Sequence, residues 1–184
     1  MRGLAASIVA GVAVLTAVAV TRADQSPAPL PARPAALDRL DRLVGSWQSN
    51  GTFVDSVYSK AGSATATTRC AWSDDRLFLL CQQHVVLDGK LTDDVAIYTY
   101  DDATQAYRFY NVGTARENST QIDVSANGIT YDGEFTDGAK RVLTRTRNVW
   151  ESARAYSWRA EYSLDGGTTW VLMGSGRSLL AVDR

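Results

Sequence analysis

Residues 153–179 read ARAYSWRAEYSLDGGTTWVLMGSGRSL, two runs of alternating character around a glycine-containing turn. In the first run Tyr156, Trp158, Ala160 and Tyr162 alternate with Ser157, Arg159, Glu161 and Ser163, so one face is mostly apolar and the other polar. Period-two alternation of this kind marks an antiparallel strand with one face in a core and the other in water. With Tyr162 opposite Val171, a regular hairpin sets Ala160 against Met173, Trp158 against Ser175 and Tyr156 against Arg177. Tyr156, Trp158, Tyr162 and Met173 are therefore expected to face the interior.

The same pattern runs backward through the chain. Alternating segments near 46–56, 63–73, 76–87, 92–101, 105–114, 118–125, 128–136 and 140–150 are cut by turn residues such as Asp88-Gly89, Asn127-Gly128 and Asp137-Gly138. Asp-Gly and Asn-Gly reach positive φ cheaply and so close tight hairpins. About ten successive antiparallel strands must form either a two-sheet sandwich or a closed barrel. Short turns throughout, no long crossover and no proline within a strand favour an all-β, up-and-down antiparallel barrel. Trp47 and Phe53 of the first strand then join the lining. The one helical signature is LDRLDRLV (37–44), with Leu37, Leu40 and Leu43 in period, ended by Gly45.

Residues 4–21 carry no charge, follow Arg2, and lead to Thr21-Arg22-Ala23 before Asp24. A basic start, an apolar stretch and small residues at the cut read as a signal peptide over 1–23. The stretch is also at the lower edge of the length that could stay as a membrane anchor. Residues 24–36 hold all four prolines and no apolar period, which reads as a disordered linker. The barrel domain is then 37–184, and the protein is expected to be periplasmic or secreted. With 19 Lys+Arg against 20 Asp+Glu, the chain lacks the basic excess of a nucleic-acid binder.

Cys70 and Cys81 are the only cysteines. If Asp75-Arg76 form the centre of the turn between them, the two stand opposite each other. In an oxidising compartment that favours a disulfide over two free thiols displaced by one step of register. A zinc site would need four ligands, and no His/Cys cluster surrounds them. His84, the only histidine, lies in a segment with apolar residues on both faces, so its direction is open. Asp93-Asp94 and Asp101-Asp102 are expected at turns.

Gly45-Ser46-Trp47 follows the short helix, and Arg177 lies in the last strand. In this the chain resembles the calycin superfamily, which includes lipocalins and fatty-acid-binding proteins. The resemblance implies that Trp47 lies inside the closed end of the barrel with Arg177 stacked across it, a structural pair with Gly45. It also implies that an inward arginine could receive a ligand carboxylate, for which Arg154, on the face of Tyr156, is the candidate. Leu43-Val44-Gly45-Ser46-Trp47, Tyr98-x-Tyr100-Asp101 and Asp165-Gly166-Gly167-x-Thr169-Trp170 are similar to segments of small, secreted, functionally uncharacterised bacterial lipocalin-like proteins. Haem-binding barrels of the superfamily use a late histidine, and none follows His84.

Ser163 to Trp170 fits the Ser-x-Asp-x-Gly-x-Thr-Trp pattern repeated in sialidase propellers. A propeller needs several four-stranded blades, so the pattern is read here as a structural turn built on Asp165, Gly167 and Trp170. The basic run Lys140, Arg141, Arg145, Arg147, Arg154 and Arg159 is placed mostly on the outside, since burying unpaired guanidiniums costs several kcal/mol each. No catalytic residues, cofactor or metal are assigned. The expected function is an exported, non-catalytic carrier of a small apolar or amphipathic molecule. The alternative is an envelope interaction or inhibitor module using loops and the N-terminal arm.

Overall fold

The computed structural model describes residues 32–113 and 116–181, with the side chains of 116–119 outside the described set. The expected signal peptide and residues 24–31 of the expected linker lie outside the described residues. Ten antiparallel strands close into one up-and-down barrel in chain order, the last pairing with the first. They are β1 (Gly45–Phe53), β2 (Gly62–Trp72), β3 (Leu79–Leu87), β4 (Lys90–Asp101) and β5 (Ala106–Gly113), then β6 (Arg116–Val124), β7 (Gly128–Asp137), β8 (Lys140–Ser152), β9 (Ala155–Ser163) and β10 (Val171–Leu180).

The helix before β1 is a 3-10 helix, Ala35–Leu43. Its leucines explain it: Leu37, Leu40 and Leu43 recur every third residue, which at three residues per turn puts them in one line. All three are buried. They plug one end of the barrel against Leu79, Tyr98, Tyr107, Ile122, Val124 and Ile129, the main apolar core. The helix starts before the expected domain boundary, and the last linker residues are fixed to the barrel. Arg33 lies over the Trp72 ring, ion-pairs with Asp38 and Asp41, and donates to the Arg76 carbonyl.

Cys70 and Cys81 are register partners of β2 and β3 and form a disulfide. The register is the expected one, although the connection is a wider loop. Ser73 and Phe78 bridge it, and Asp75 accepts from the Ser73 hydroxyl and the Leu77 amide. At Asp88-Gly89 both residues take positive φ, 48° and 76°, as a two-residue hairpin requires.

Two expectations fail for one reason each. Val171 does pair with Tyr162, but the register shifts between Leu172 and Gly174. Met173 is the extra residue of this bulge, so Gly174, not Met173, faces Ala160. Every later residue of β10 is moved one step, which exchanges the two faces. Arg177 therefore stands opposite Ser157 on β9 and Asn50 on β1. It pairs with Glu151 outside the barrel, away from Trp47. Arg154 is likewise not inward. β8 has its own irregularity between Trp150 and Ser152, β9 begins at Ala155, and Arg154 is an exposed turn residue whose carbonyl accepts from Leu180.

The wall is unevenly sealed. β6 and β7 pair only over Ile122–Val124 against Ile129–Tyr131. Beyond that, Thr120 Oγ1 donates to the Asp132 carbonyl, and the mouth halves of both strands part.

Candidate functional site

The barrel encloses a cavity of about 430 Å³ that opens toward the end opposite the 3-10 helix. That volume falls within the range of small-molecule sites, about 300–1,000 Å³. The floor is aromatic. Trp47 is 1% exposed, donates from Nε1 to the Leu43 carbonyl at 2.8 Å, and packs on Tyr156 with ring centroids 5.0 Å apart. Gly45, at φ 116°, turns the chain from the helix into β1 beneath it. On the other side Tyr98, Phe109 and Tyr131 pack together in tilted and edge-on contacts, and the Tyr98 and Tyr131 hydroxyls meet at 3.0 Å. Burial pushes both phenols upward, so they remain neutral hydrogen-bonding groups at ordinary pH.

Three glycines make room inside. Trp158 lies across β1 and β10, where a Cβ on Gly51 or Gly176 would come within 2.2 Å or 2.6 Å of its ring. Phe53 lies over Gly174 in the same way, 2.8 Å from where a Cβ would stand. Phe53 and Trp158 also contact each other, their centroids 5.9 Å apart. Of the residues expected to line the interior, Trp47, Phe53, Tyr156 and Trp158 do so. Tyr162 is buried beneath Tyr58, while Met173 and Arg154 are not part of the lining.

Above the floor the lining is polar in a way the sequence did not reveal. Thr68, Gln83, Asn111, Thr144, Thr146 and Asn148 contribute amides and hydroxyls, and Gln83 Nε2 donates to Thr68 Oγ1 at 3.0 Å. Asp93 and Asp94 are not at a turn; they lie within β4. Asp94 lines the cavity, leaning over Gly113 of β5, where a Cβ would be 1.6 Å from its Oδ1. Asp93 faces out and meets His84 Nδ1 at 2.5 Å. His84 is thus an outer-wall residue. The segment reading Asp-Asp-Val-Ala-Ile-Tyr has apolar residues on both faces, so alternation alone could not decide which aspartate points inward.

A strap formed by residues 54–61 reaches across the mouth. Tyr58 packs edge-on against Tyr162 and Phe135, centroids 4.9 Å and 5.2 Å, and donates to Asp137 Oδ2 at 3.0 Å. This contact holds the end of β7 on the side where β7 has left β6.

The outer wall carries the basic run. Glu161, its side chain 4% exposed, accepts from Arg145, Arg147 and Arg159 at 2.6–2.9 Å. Burial alone would raise this carboxyl; the hydrogen bonds from the three guanidiniums outweigh it and hold the value at about 2. Arg145 also lies over the Trp170 ring at 3.8 Å. Trp170 closes the 164–170 turn by donating to the Gly167 carbonyl, and Asp165 accepts from the Thr169 amide and hydroxyl. These contacts account for the propeller-like pattern as a hairpin clamp. A second depression, about 720 Å³, lies outside the barrel beside Ala35, Arg39, Tyr100 and Gln121.

No family model and no curated protein matches the chain. Solved structures do. The S-type phycobiliprotein lyase CPES from Guillardia theta aligns at 12% identity with a TM-score of 0.54, over 83% of this chain and 96% of that one. Rv2717c from M. tuberculosis aligns at 13% identity with a TM-score of 0.55, over 82% and 100% respectively. At such identities the likeness is one of fold alone, that of a closed antiparallel β-barrel.

Proposed function

We propose that this protein is an exported, non-catalytic carrier that holds one small amphipathic molecule inside its barrel. One observation carries the reading: a cavity of about 430 Å³ with an aromatic floor and polar walls, open at one end and along one seam. An aromatic floor gives apolar contact area, and a few fixed polar groups orient the guest. A barrel packed only for stability would have filled this space with its own side chains. The glycines at 51, 174 and 176 instead let Trp158 and Phe53 lie against the wall.

The Cys70–Cys81 disulfide supports export, because such bonds persist in oxidising compartments. So does the charge-free stretch at 4–21 behind Arg2. Among the described residues no helix is long and apolar enough to cross a membrane. The fold resemblance to a phycobiliprotein lyase is compatible with a small-molecule role, without indicating which molecule.

Native mass spectrometry of protein purified from its source compartment, followed by solvent extraction, tests this. A stoichiometric added mass that is lost on extraction is the expected result. An empty protein that takes up no amphipathic probe would overturn the reading.

A further inference from the structure

The charges of the cavity lining point to the class of guest. Among the described residues that line it, Asp94 is the charged residue on an inward strand face; Asp132 borders the cavity where β6 and β7 part, is exposed and also borders the outer depression, and no lysine, arginine or histidine lines it. Asp94 comes from the inward face of β4, opposite Gln83 on β3 and Gly113 on β5. Among the described residues it makes no ion pair or hydrogen bond, whereas Glu134, Glu151 and Glu161 of the outer wall are each matched by an arginine. It is half-buried within the mouth, above the aromatic side chains of Phe109 and Tyr98.

We propose that the guest of this cavity is a protonated amine on an aromatic or apolar body, with its ammonium set against Asp94. This rests on the carrier reading and narrows it. A carboxylate ligand would bring a second negative charge toward Asp94 with no cation in the described lining to receive it, and like charges in a partly desolvated site repel. An ammonium there gains a charge-assisted hydrogen bond, while the aromatic side chains deeper in the barrel supply contact area for the guest's ring. The amides of Gln83 and Asn111 border the same part of the wall and offer further acceptors.

The expectation also corrects the direction suggested by fatty-acid-binding barrels. There an inward arginine receives an acid, but here Arg154 and Arg177 both lie outside and a carboxylate lies inside.

The test is calorimetry with three matched probes: 2-(1-naphthyl)ethylamine, 2-(1-naphthyl)ethanol and 1-naphthaleneacetate. The amine should bind at least tenfold tighter than the acetate. Asp94→Asn should weaken the amine by about tenfold, equivalent to about 1.4 kcal/mol, and leave the alcohol unchanged. Unchanged alcohol binding also shows that the variant is folded and its cavity intact. If the acetate binds as tightly as the amine, or Asp94→Asn leaves the amine-to-alcohol ratio unaltered, the cationic assignment is wrong while the carrier reading stands. If none of the three probes binds, the carrier reading fails, and this inference with it.

Discussion

Trp47 stands opposite Leu180 at the seam where β1 and β10 close the barrel, and its indole is sealed by Tyr156, Trp150 and the Leu43 carbonyl. The closing contact is therefore aromatic and is made without Arg177, whose guanidinium pairs with Glu151 at 2.6 Å on the outside. An exposed ion pair of this kind contributes about 0.2–1 kcal/mol, whereas truncating a buried tryptophan costs about 3–5 kcal/mol. Urea denaturation should show Trp47→Ala losing most of the fold's stability and Arg177→Ala almost none. Equal losses would return Arg177 to the closing contact.

The register that misplaced Arg177 shows where the sequence is legible and where it is not. Alternation, turn dipeptides and the spacing of Leu37, Leu40 and Leu43 are local signals, and they suffice for ten strands, the plug helix and the Cys70–Cys81 pairing. A bulge at Met173 adds one residue without breaking the alternation, so Ser175 and Arg177 remain as plausible an inward pair as Gly174 and Gly176. The deciding fact is steric and long-range: Trp158 needs the space above Gly51 and Gly176. The inward polar set around Gln83, Asp94 and Asn111 escaped for a similar reason. Their strands have apolar residues on both faces, and only closure of the barrel says which face is inside.

Gly176 gives that steric argument a direct test. A Cβ there would lie 2.2 Å from the Asn50 carbonyl oxygen and 2.7 Å from Gly51 Cα, backbone atoms that cannot turn aside. Gly176→Ala should therefore destabilise by about 1–3 kcal/mol through overpacking, measured by thermal unfolding, and should shift the emission of Trp158. A neutral effect would mean that β1 and β10 separate easily.

Glu161 predicts an acid limb of the stability curve. Its folded-state carboxyl is held at about 2, below the ordinary 4.5 of the unfolded chain. A depressed value means that the contribution is fully present above the unfolded value and is lost as pH falls from about 4.5 toward 2. Glu161→Gln should flatten that limb. It should also cost about 3 kcal/mol at neutral pH, since three guanidiniums lose the carboxylate they share. The comparison needs unfolding curves for both proteins at pH 7, 4 and 3, and an unchanged slope between them would place the acid sensitivity elsewhere.

The disulfide offers a separable measurement, because Cys70 and Cys81 are 11 residues apart and lie beside the plug rather than the mouth. Closing so short a loop stabilises by about 2–3 kcal/mol in the chain-entropy account. The double variant Cys70→Ala with Cys81→Ala should lower the urea midpoint accordingly. Bound probe should still protect the barrel, since these residues form only a small part of the lining. Loss of binding at full occupancy of the folded state would show that the β2–β3 pairing shapes the cavity more than its position suggests.

Tyr58 bears on how a guest would enter. The strap it anchors spans 54–61, and its contacts with Phe135, Tyr162 and Asp137 hold it over the mouth and to β7. β7 is also the strand that has parted from β6, so releasing Tyr58 frees the roof and one lip of the seam together. Tyr58→Ala removes both ring contacts and the hydrogen bond, yet touches no residue of the aromatic floor. Stopped-flow binding of the naphthyl probes should show faster association and faster dissociation, with their ratio nearly conserved. Tyr58→Phe keeps the rings and loses only the bond to Asp137, so its rates should fall between those of the parent and the alanine variant. Parent-like rates in both variants would mean that the guest passes through the β6–β7 seam without moving the strap.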